Sequence, residues 1–464
     1  MKKTKIICSI GPASSDINVF KQMVDSGMNV ARVNFSHATL EERQTVIELV
    51  KTVNEKYGHN IGLLFDTKGP EFRNGEVKDG GISLVPGRLI KIVKEKCLGD
   101  EERFSVNHPE AIDALNIGSI IQLENGLMKI KVIEKHDDYV LCEIVNGGIL
   151  GSRKSLFVPG VNLNIPFISE VDKEDIIYAC QNDGDFLALS FVSSAQDVMD
   201  AKKIIEENDG NIKIISKIES RTGIDNLEEI LEVSDGVMVA RGDLGEEVSI
   251  SLLPVYQKQI IQKAREHGKF VIVATEMLES MKKNSRPTRA EVTDVANAVL
   301  DGTDAVMLSG ETTVGLYPLE TVKYMASIAR DAEEYSAKHF GFNGKIGRTE
   351  CIAKAAVDLT KYVDVKAIVA EGLSGFSTRM ISNFRPNSPI LSCCTTAKVA
   401  RSLALNYGVY TTIVPLMDDT DELVKTVRDA AVKYFDLQVG DKIIVTGGMP
   451  SVRLTDFMKI EEIK

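Results

Sequence analysis

The stretch Ile212-Lys-Ile-Ile-Ser-Lys217-Ile-Glu219 decides the fold. It is a short apolar run that ends in a lysine and, two residues on, a glutamate. Such runs read as strands buried on both faces, which belong to parallel sheets. Parallel barrels place their chemistry at the carboxyl ends of their strands. A cation and an anion therefore emerge together where a reaction takes place. The pattern recurs downstream, where Asp235-Gly-Val-Met-Val-Ala240 runs into Arg241-Gly-Asp243-Leu-Gly245. Carboxylates and cations at neighbouring strand tips suit a divalent metal that holds a phosphorylated anion.

Working outward, eight strand-like runs appear: 5–10, 29–34, 61–67, 186–191, 212–218, 236–240, 270–275 and 305–309. Helical patterns over 40–54, 195–207, 253–267 and 289–300 separate several of them. Alternation of this kind predicts an α/β fold with a closed (β/α)8 TIM barrel, made of segments 1–70 and 167–338. The interval 71–166 breaks the rhythm. Its short alternating runs, such as Leu89-Ile-Lys-Ile-Val93 and Lys129-Ile-Lys-Val-Ile133, are separated by turn signals such as Asp79-Gly-Gly81, Glu124-Asn-Gly126 and Asn146-Gly-Gly148. That predicts a small all-β module inserted in a loop of the active face, a natural lid. From 339 to 464 helix and strand alternate again, which predicts a separate open α/β domain.

Composition narrows the function. The 464 residues carry a formal net charge of −12, which argues against nucleic acid or an anionic membrane as partner. Hydrophobic content of 44% allows a sizeable core. No apolar run approaches the roughly 18 residues of a membrane span. The lysine-rich start resembles a secretion signal, but Gly11-Pro12 stops its apolar stretch, so it reads as the first strand. Seven cysteines, odd in number and scattered, read as reduced thiols of a cytoplasmic protein.

The strand ends carry the candidate chemistry. Strand two ends Arg32-Val-Asn34-Phe-Ser36-His37, and strand three ends Asp66-Thr67-Lys68-Gly-Pro-Glu71-Phe-Arg73. Strand five gives Lys217 and Glu219, strand six Arg241 and Asp243, strand seven Thr275-Glu276, and strand eight Ser309-Gly-Glu311. Any one of these reads equally as an ordinary solvated loop residue, and His37 as a surface histidine. Together they set Arg32, Arg73, Lys217 and Arg241 beside the acids Asp66, Glu219 and Asp243. Phosphoryl transfer needs such a mixture, because charge on the migrating group must be neutralised while two oxygens are held in line. Gly242 and Gly245 let backbone N–H groups approach an anion. No Gly-x-x-x-x-Gly-Lys-[Ser/Thr] occurs, so a nucleotide would bind without a P-loop.

Six segments then carry a resemblance: 3–14, Met28-Asn-Val-Ala-Arg-Val-Asn-Phe-Ser-His37, Asp66-Thr-Lys-Gly-Pro-Glu71, Ser216-Lys-Ile-Glu219, Met238-Val-Ala-Arg-Gly-Asp-Leu-Gly245 and 287–297. In this order and spacing the chain resembles the pyruvate kinase family over nearly its whole length. The resemblance implies a barrel, lid and C-terminal domain, assembly as a homotetramer, and the conversion of phosphoenolpyruvate and ADP to pyruvate and ATP. It further implies that Lys217 neutralises the migrating phosphoryl group, and that Glu219 and Asp243 hold Mg2+ or Mn2+. Arg32 and Arg73 would clamp phosphate oxygens, with Gly242 beside the substrate. Asn34, Ser36, Asp66 and the carbonyl of Thr67 would hold K+. Thr275, with water, would sit where the enolate carbon is protonated. Lys154 of the lid, with Asn34, His37 and Arg73, would meet the nucleotide.

The chain departs from the family pattern in three places. Glu276 stands where glutamine is usual, Ser155 where the lid usually has glycine, and Gly372-Leu-Ser374-Gly375-Phe-Ser377 where an effector loop begins Thr-x-Ser-Gly. Ser374, Gly375 and Ser377 can still meet a phosphorylated effector, but a weak response to fructose 1,6-bisphosphate is expected. Glu71, where some members carry lysine, implies a K+ requirement. Lys68, nearby, is not expected to supply the charge that such a lysine would bring. Two other readings compete. A metal-dependent carbon–carbon lyase would need neither lid nor Lys154, and an inactive metabolite sensor would be expected to have lost Lys217, Glu219 or Arg73.

Overall fold

The computed structural model describes all residues except 125, 162, 164, 336–345 and 449–454. The expected boundary at 338/339 and the middle of the turn at 124–126 lie outside the described residues. Eight parallel strands close the barrel: β1 (Lys5–Ser9), β2 (Val30–Asn34), β3 (Gly62–Asp66), β4 (Phe186–Leu189), β5 (Lys213–Ile218), β6 (Gly236–Ala240), β7 (Phe270–Ala274) and β8 (Ala305–Leu308). All eight fall on the runs read from the sequence. Each strand runs beside its successor, and β1 closes on β8 with Lys5 opposite Ala305 and Cys8 opposite Leu308.

The strands are almost wholly buried because both faces are covered. Inward side chains such as Ile7, Val30, Leu64, Phe186, Ile215, Met238 and Ile272 fill the barrel, and Leu405 of the C-terminal domain joins them. Outward side chains pack under the helices as a second, larger core. Those helices begin where the sequence supplies caps. Ser194 with Asp197 and Thr288 with Glu291 form reciprocal capping boxes ahead of helices Ala195–Glu207 and Arg289–Asp301.

Between β3 and β4 lies the all-β module, with its own core of Ile90, Phe104, Ile121, Ile130 and Val140. Its six-stranded sheet contains the four runs legible in the sequence, as Leu89–Val93, Ile120–Leu123, Met128–Lys135 and Tyr139–Asn146. Arg103–Ser105 and Leu156–Phe157 complete it, and Ile82–Leu84 pairs with Gly148–Leu150 apart from it. These four short strands escaped the reading because two or three residues cannot display an alternation. The C-terminal domain is a five-stranded sheet whose last strand, Thr455–Glu462, is antiparallel at the edge. That strand was not anticipated, because the half-exposed face of an edge strand is polar. All seven cysteines are free thiols. Among the described residues no helix is long and apolar enough to cross a membrane.

Candidate active site

The carboxyl ends of β2 to β8 open into a cleft of about 250 Å3. It is lined by Arg32, Asn34, Ser36, His37, Thr67, Arg73, Lys217, Glu219, Asp243 and Thr275 among others. Its floor is a continuous network of buried charge. Arg32 donates from Nε to Asp66 Oδ2 at 2.7 Å and from Nη1 to Ser9 Oγ at 2.7 Å. Lys217 Nζ stands 3.2 Å from Asp66 Oδ1 and 3.0 Å from Glu219 Oε1, and donates to Ser190 Oγ at 2.6 Å. Ser190 in turn donates to the Thr67 carbonyl at 2.7 Å.

Strand geometry explains the convergence. Asn34 of β2 lies opposite Asp66 of β3, and Lys217 of β5 lies opposite Met238 of β6. Strand tips in a closed barrel surround one axis, so groups distant in sequence meet there.

Protonation follows from the packing. Burial disfavours the Lys217 ammonium, but Asp66 and Glu219 outweigh it and raise its pKa above the ordinary lysine value. Burial likewise works against the Asp66 carboxylate, and the two cations beside it still hold its pKa below the usual range. Glu219 is the exception. Burial, together with the like charges of Asp243 and Asp66, pushes its pKa up to about 8 despite Lys217. Its Oε2 accepts from Phe191 N–H at 2.7 Å. Its Oε1 is buried, and its close partner is the Lys217 ammonium in an ion pair at 3.0 Å.

A buried carboxyl oxygen whose close partner is a cation, the Lys217 ammonium at 3.0 Å, stands in an environment that suits positive charge. Among the described residues no three acidic, histidine or cysteine side chains gather to hold a metal. Glu219 and Asp243 share the cleft, however, and Mg2+ is commonly held by one or two carboxylates, with substrate and water completing its shell. The residues present therefore fit a divalent ion.

Other expected residues are placed differently. Arg73 makes a two-pronged pair with Glu71, at 2.8 and 2.7 Å, and donates to the Arg153 carbonyl at 2.7 Å. Lys68 lies 3.5 Å from Glu71. Glu71 is therefore matched by two cations, since a lysine three residues ahead can turn back across the Gly69-Pro70 bend. Lys154 is not in the cleft. Its ammonium pairs with Glu124 inside the lid at 2.8 Å.

Arg241 does not join the converging cations. The helix Arg241–Glu247 starts directly after β6 and turns this side chain behind the wall. There it donates to the carbonyls of Thr275 and Ala274 and to Asp294. Ser190 and Phe191 were missed. Their strand ends Leu189-Ser-Phe-Val192 without a charge, and the only signal was position at the tip of the fourth strand.

Comparison with known proteins decides the family. A model of the pyruvate kinase barrel domain matches residues 1–322, and one of the pyruvate kinase alpha/beta domain matches 350–461. The chain belongs to the pyruvate kinase family. It is 41% identical to a pyruvate kinase of Geobacillus stearothermophilus over 473 residues, covering 100% of this chain and 80% of that protein. Identity to a pyruvate kinase of Staphylococcus haemolyticus is 44% over 471 residues, covering 99% and 80%. The crystal structure of a pyruvate kinase from Cryptosporidium parvum superposes with a TM-score of 0.94 at 36% identity, over 100% of this chain and 96% of that one.

Proposed function

We propose that the protein transfers the phosphoryl group of phosphoenolpyruvate to ADP, giving pyruvate and ATP in glycolysis. The observation that carries this reading is the buried network Arg32–Asp66–Lys217–Glu219 opening into the cleft. Lys217 is held charged and immobile, so its ammonium meets developing phosphoryl charge without reorganising. Asp66 fixes both Lys217 and Arg32, which leaves them oriented rather than neutralised in solvent. Arg73 lines the same cleft and would bring a second guanidinium to it from its pairing with Glu71. Glu219 and Asp243 would hold the divalent ion, Mg2+ or Mn2+, which supplies charge stabilisation at the phosphoryl oxygens. Thr275, with water, would deliver the proton to the enolate carbon.

Asn34, Ser36, Asp66 and the Thr67 carbonyl would hold K+, each offering it an oxygen. His37 lines the nucleotide side, and Lys154 would leave Glu124 to reach ADP when the lid closes. In the C-terminal domain Ser374, Gly375 and Ser377 line a small pocket together with Glu371. A carboxylate there repels a phosphate dianion, which supports a weak response to fructose 1,6-bisphosphate. Ile250, Val314 and Leu316 are at least 65% exposed, apolar surface of the kind that subunits cover in a homotetramer. A cytoplasmic setting accords with the free thiols.

The test is pyruvate formation from phosphoenolpyruvate and ADP in a coupled assay, with Mg2+, K+ and a panel of sugar phosphates varied in turn. Turnover that needs both ADP and a divalent ion is expected. No pyruvate under any combination would refute the assignment.

A further inference from the structure

The tip of β7 adopts a backbone that its residues disfavour. Thr275 has φ 68° and Glu276 φ 53°, two consecutive non-glycine residues in the left-handed region. For threonine, branched at Cβ, this is a genuine outlier that the surroundings must enforce. The enforcing group is Arg241. Its guanidinium donates to the Thr275 carbonyl at 2.7 Å and the Ala274 carbonyl at 3.3 Å. It also meets Met277 Sδ at 2.8 Å and is anchored on Asp294 Oδ1 at 2.6 Å. The Arg241 side chain is only 11% exposed. On the cleft side of the same turn, Thr275 Oγ1 accepts from Gly242 N–H at 2.8 Å and donates to the Ala274 carbonyl at 2.7 Å, the carbonyl that Arg241 also meets.

We propose that Arg241 is a positioning residue, which holds the Thr275–Glu276 turn so that the Thr275 hydroxyl stays at the cleft wall, where it turns from the Ala274 carbonyl to the reacting carbon. The inference rests on the phosphoryl-transfer reading. Once the phosphoryl group has left, the π pair of the enolate forms a new C–H bond at the methylene carbon while C–O becomes a carbonyl. The proton comes from the Thr275 hydroxyl or a water bonded to it, and solvent replaces it. Arg241 touches none of these atoms. Its planar fork serves two carbonyls and a carboxylate from three separate nitrogens, a spread that the three donors on a lysine's single nitrogen do not reproduce.

The experiment uses the full chain and four forms: wild type, Arg241→Lys, Thr275→Ala and the double variant. By reversibility, the protonating apparatus also exchanges the methyl protons of pyruvate with deuterated water, followed by NMR in the presence of ATP, Mg2+ and K+. Pyruvate formation and thermal midpoints are measured alongside. Arg241→Lys is expected to slow exchange by about 10²-fold, the scale of a small misplacement at a reacting centre. Its KM for phosphoenolpyruvate should stay near the wild-type value, and adding it to Thr275→Ala should cause no further loss. Independent, multiplicative losses, unchanged exchange, or a fall only in the thermal midpoint would each overturn the inference. If Arg241→Lys does not fold, Asp294→Asn, at a side chain 34% exposed, removes the anchor alone and enters the same cycle. Wild-type protein that makes no pyruvate would instead refute the phosphoryl-transfer reading.

Discussion

The two ends of the barrel use the same chemistry to opposite ends. At the amino ends of the strands, Asp185 precedes β4 and Asp304 precedes β8, and both are buried. Asp185 Oδ2 accepts from Leu63 N–H at 2.9 Å and from Arg401 Nε at 2.9 Å, and Lys398 lies 3.3 Å from Oδ1. Asp304 accepts from Val271 N–H at 3.0 Å and from Arg385 at 2.7 Å. The cations come from the C-terminal domain, so these carboxylates join two bodies, and each accepts both a backbone N–H and a guanidinium. At the carboxyl ends, Asp66 and Glu219 are equally buried and paired, yet the network faces a cleft, and Glu219 Oε1 has the Lys217 ammonium beside it and no backbone N–H. A saturated ion pair is a fastener. An unsaturated one is a place for a ligand, because a buried acceptor left partly unfilled is costly until something fills it.

The largest effect should come from removing the cation at the open end. Lys217→Met is expected to lower kcat by at least about 10³-fold, the scale of losing a principal stabiliser of transition-state charge. Phosphoenolpyruvate binding should remain measurable by fluorescence or calorimetry. A change confined to KM, with kcat intact, would count against this role. Next in size are the two carboxylates. Glu219→Ala or Asp243→Ala should cut turnover by about 10²-fold and raise the Mg2+ needed for half-activity, since a hard cation loses one of two anionic ligands. Unchanged Mg2+ titrations in both variants would show that Glu219 Oε1 serves no metal.

How much of this contrast was legible depends on how local each signal is. Lys217 and Glu219 stand out because a charge that ends an apolar run needs no tertiary knowledge, and the apolar runs of the eight barrel strands are local signals too. The fasteners are harder to read. Asp185 and Asp304 also precede apolar runs, but their partners Arg401 and Arg385 lie in another domain, and nothing local ties them together. Direction is harder still. Arg241 and Asp243 are two residues apart, yet the helix that begins between β6 and the cleft sends one behind the wall and leaves the other within it. Lys154 illustrates a further limit. The family resemblance implied a nucleotide contact, while its partner in this conformation is Glu124, and sequence does not say which way a lid stands.

A moderate effect is expected from K+. Turnover in tetramethylammonium buffer should rise about tenfold or more as K+ is added, the equivalent of roughly 1.4 kcal/mol of barrier. The pairing of Glu71 with Arg73 and Lys68 sharpens this prediction. Glu71→Lys would add a cation near the proposed K+ ligands, and it would also set Arg73 free. The variant should therefore need less K+ and reach a lower maximal rate. Full wild-type activity without a monovalent metal ion would remove the case for a site at Asn34, Ser36, Asp66 and Thr67.

The smallest effect on turnover is expected at the closed end, where the effect on stability is large. Asp185→Asn leaves Arg401 and Lys398 facing a neutral amide in a buried joint, although both retain the exposed Asp183. Breaking one partner of a buried ion pair costs about 3 kcal/mol at the lower end of the usual range. The unfolding midpoint in urea should fall accordingly, while kcat and KM stay within about twofold of wild type, the spread expected of a site that the reaction does not touch. The two results must come together. The carboxyl and amino ends share eight strands and a continuous core, so a fastener that also tuned the cleft would move kcat when cut. A Lys217-like loss of turnover in Asp185→Asn would mean that the two ends are coupled through the strands, and that saturation of a carboxylate does not separate scaffold from site.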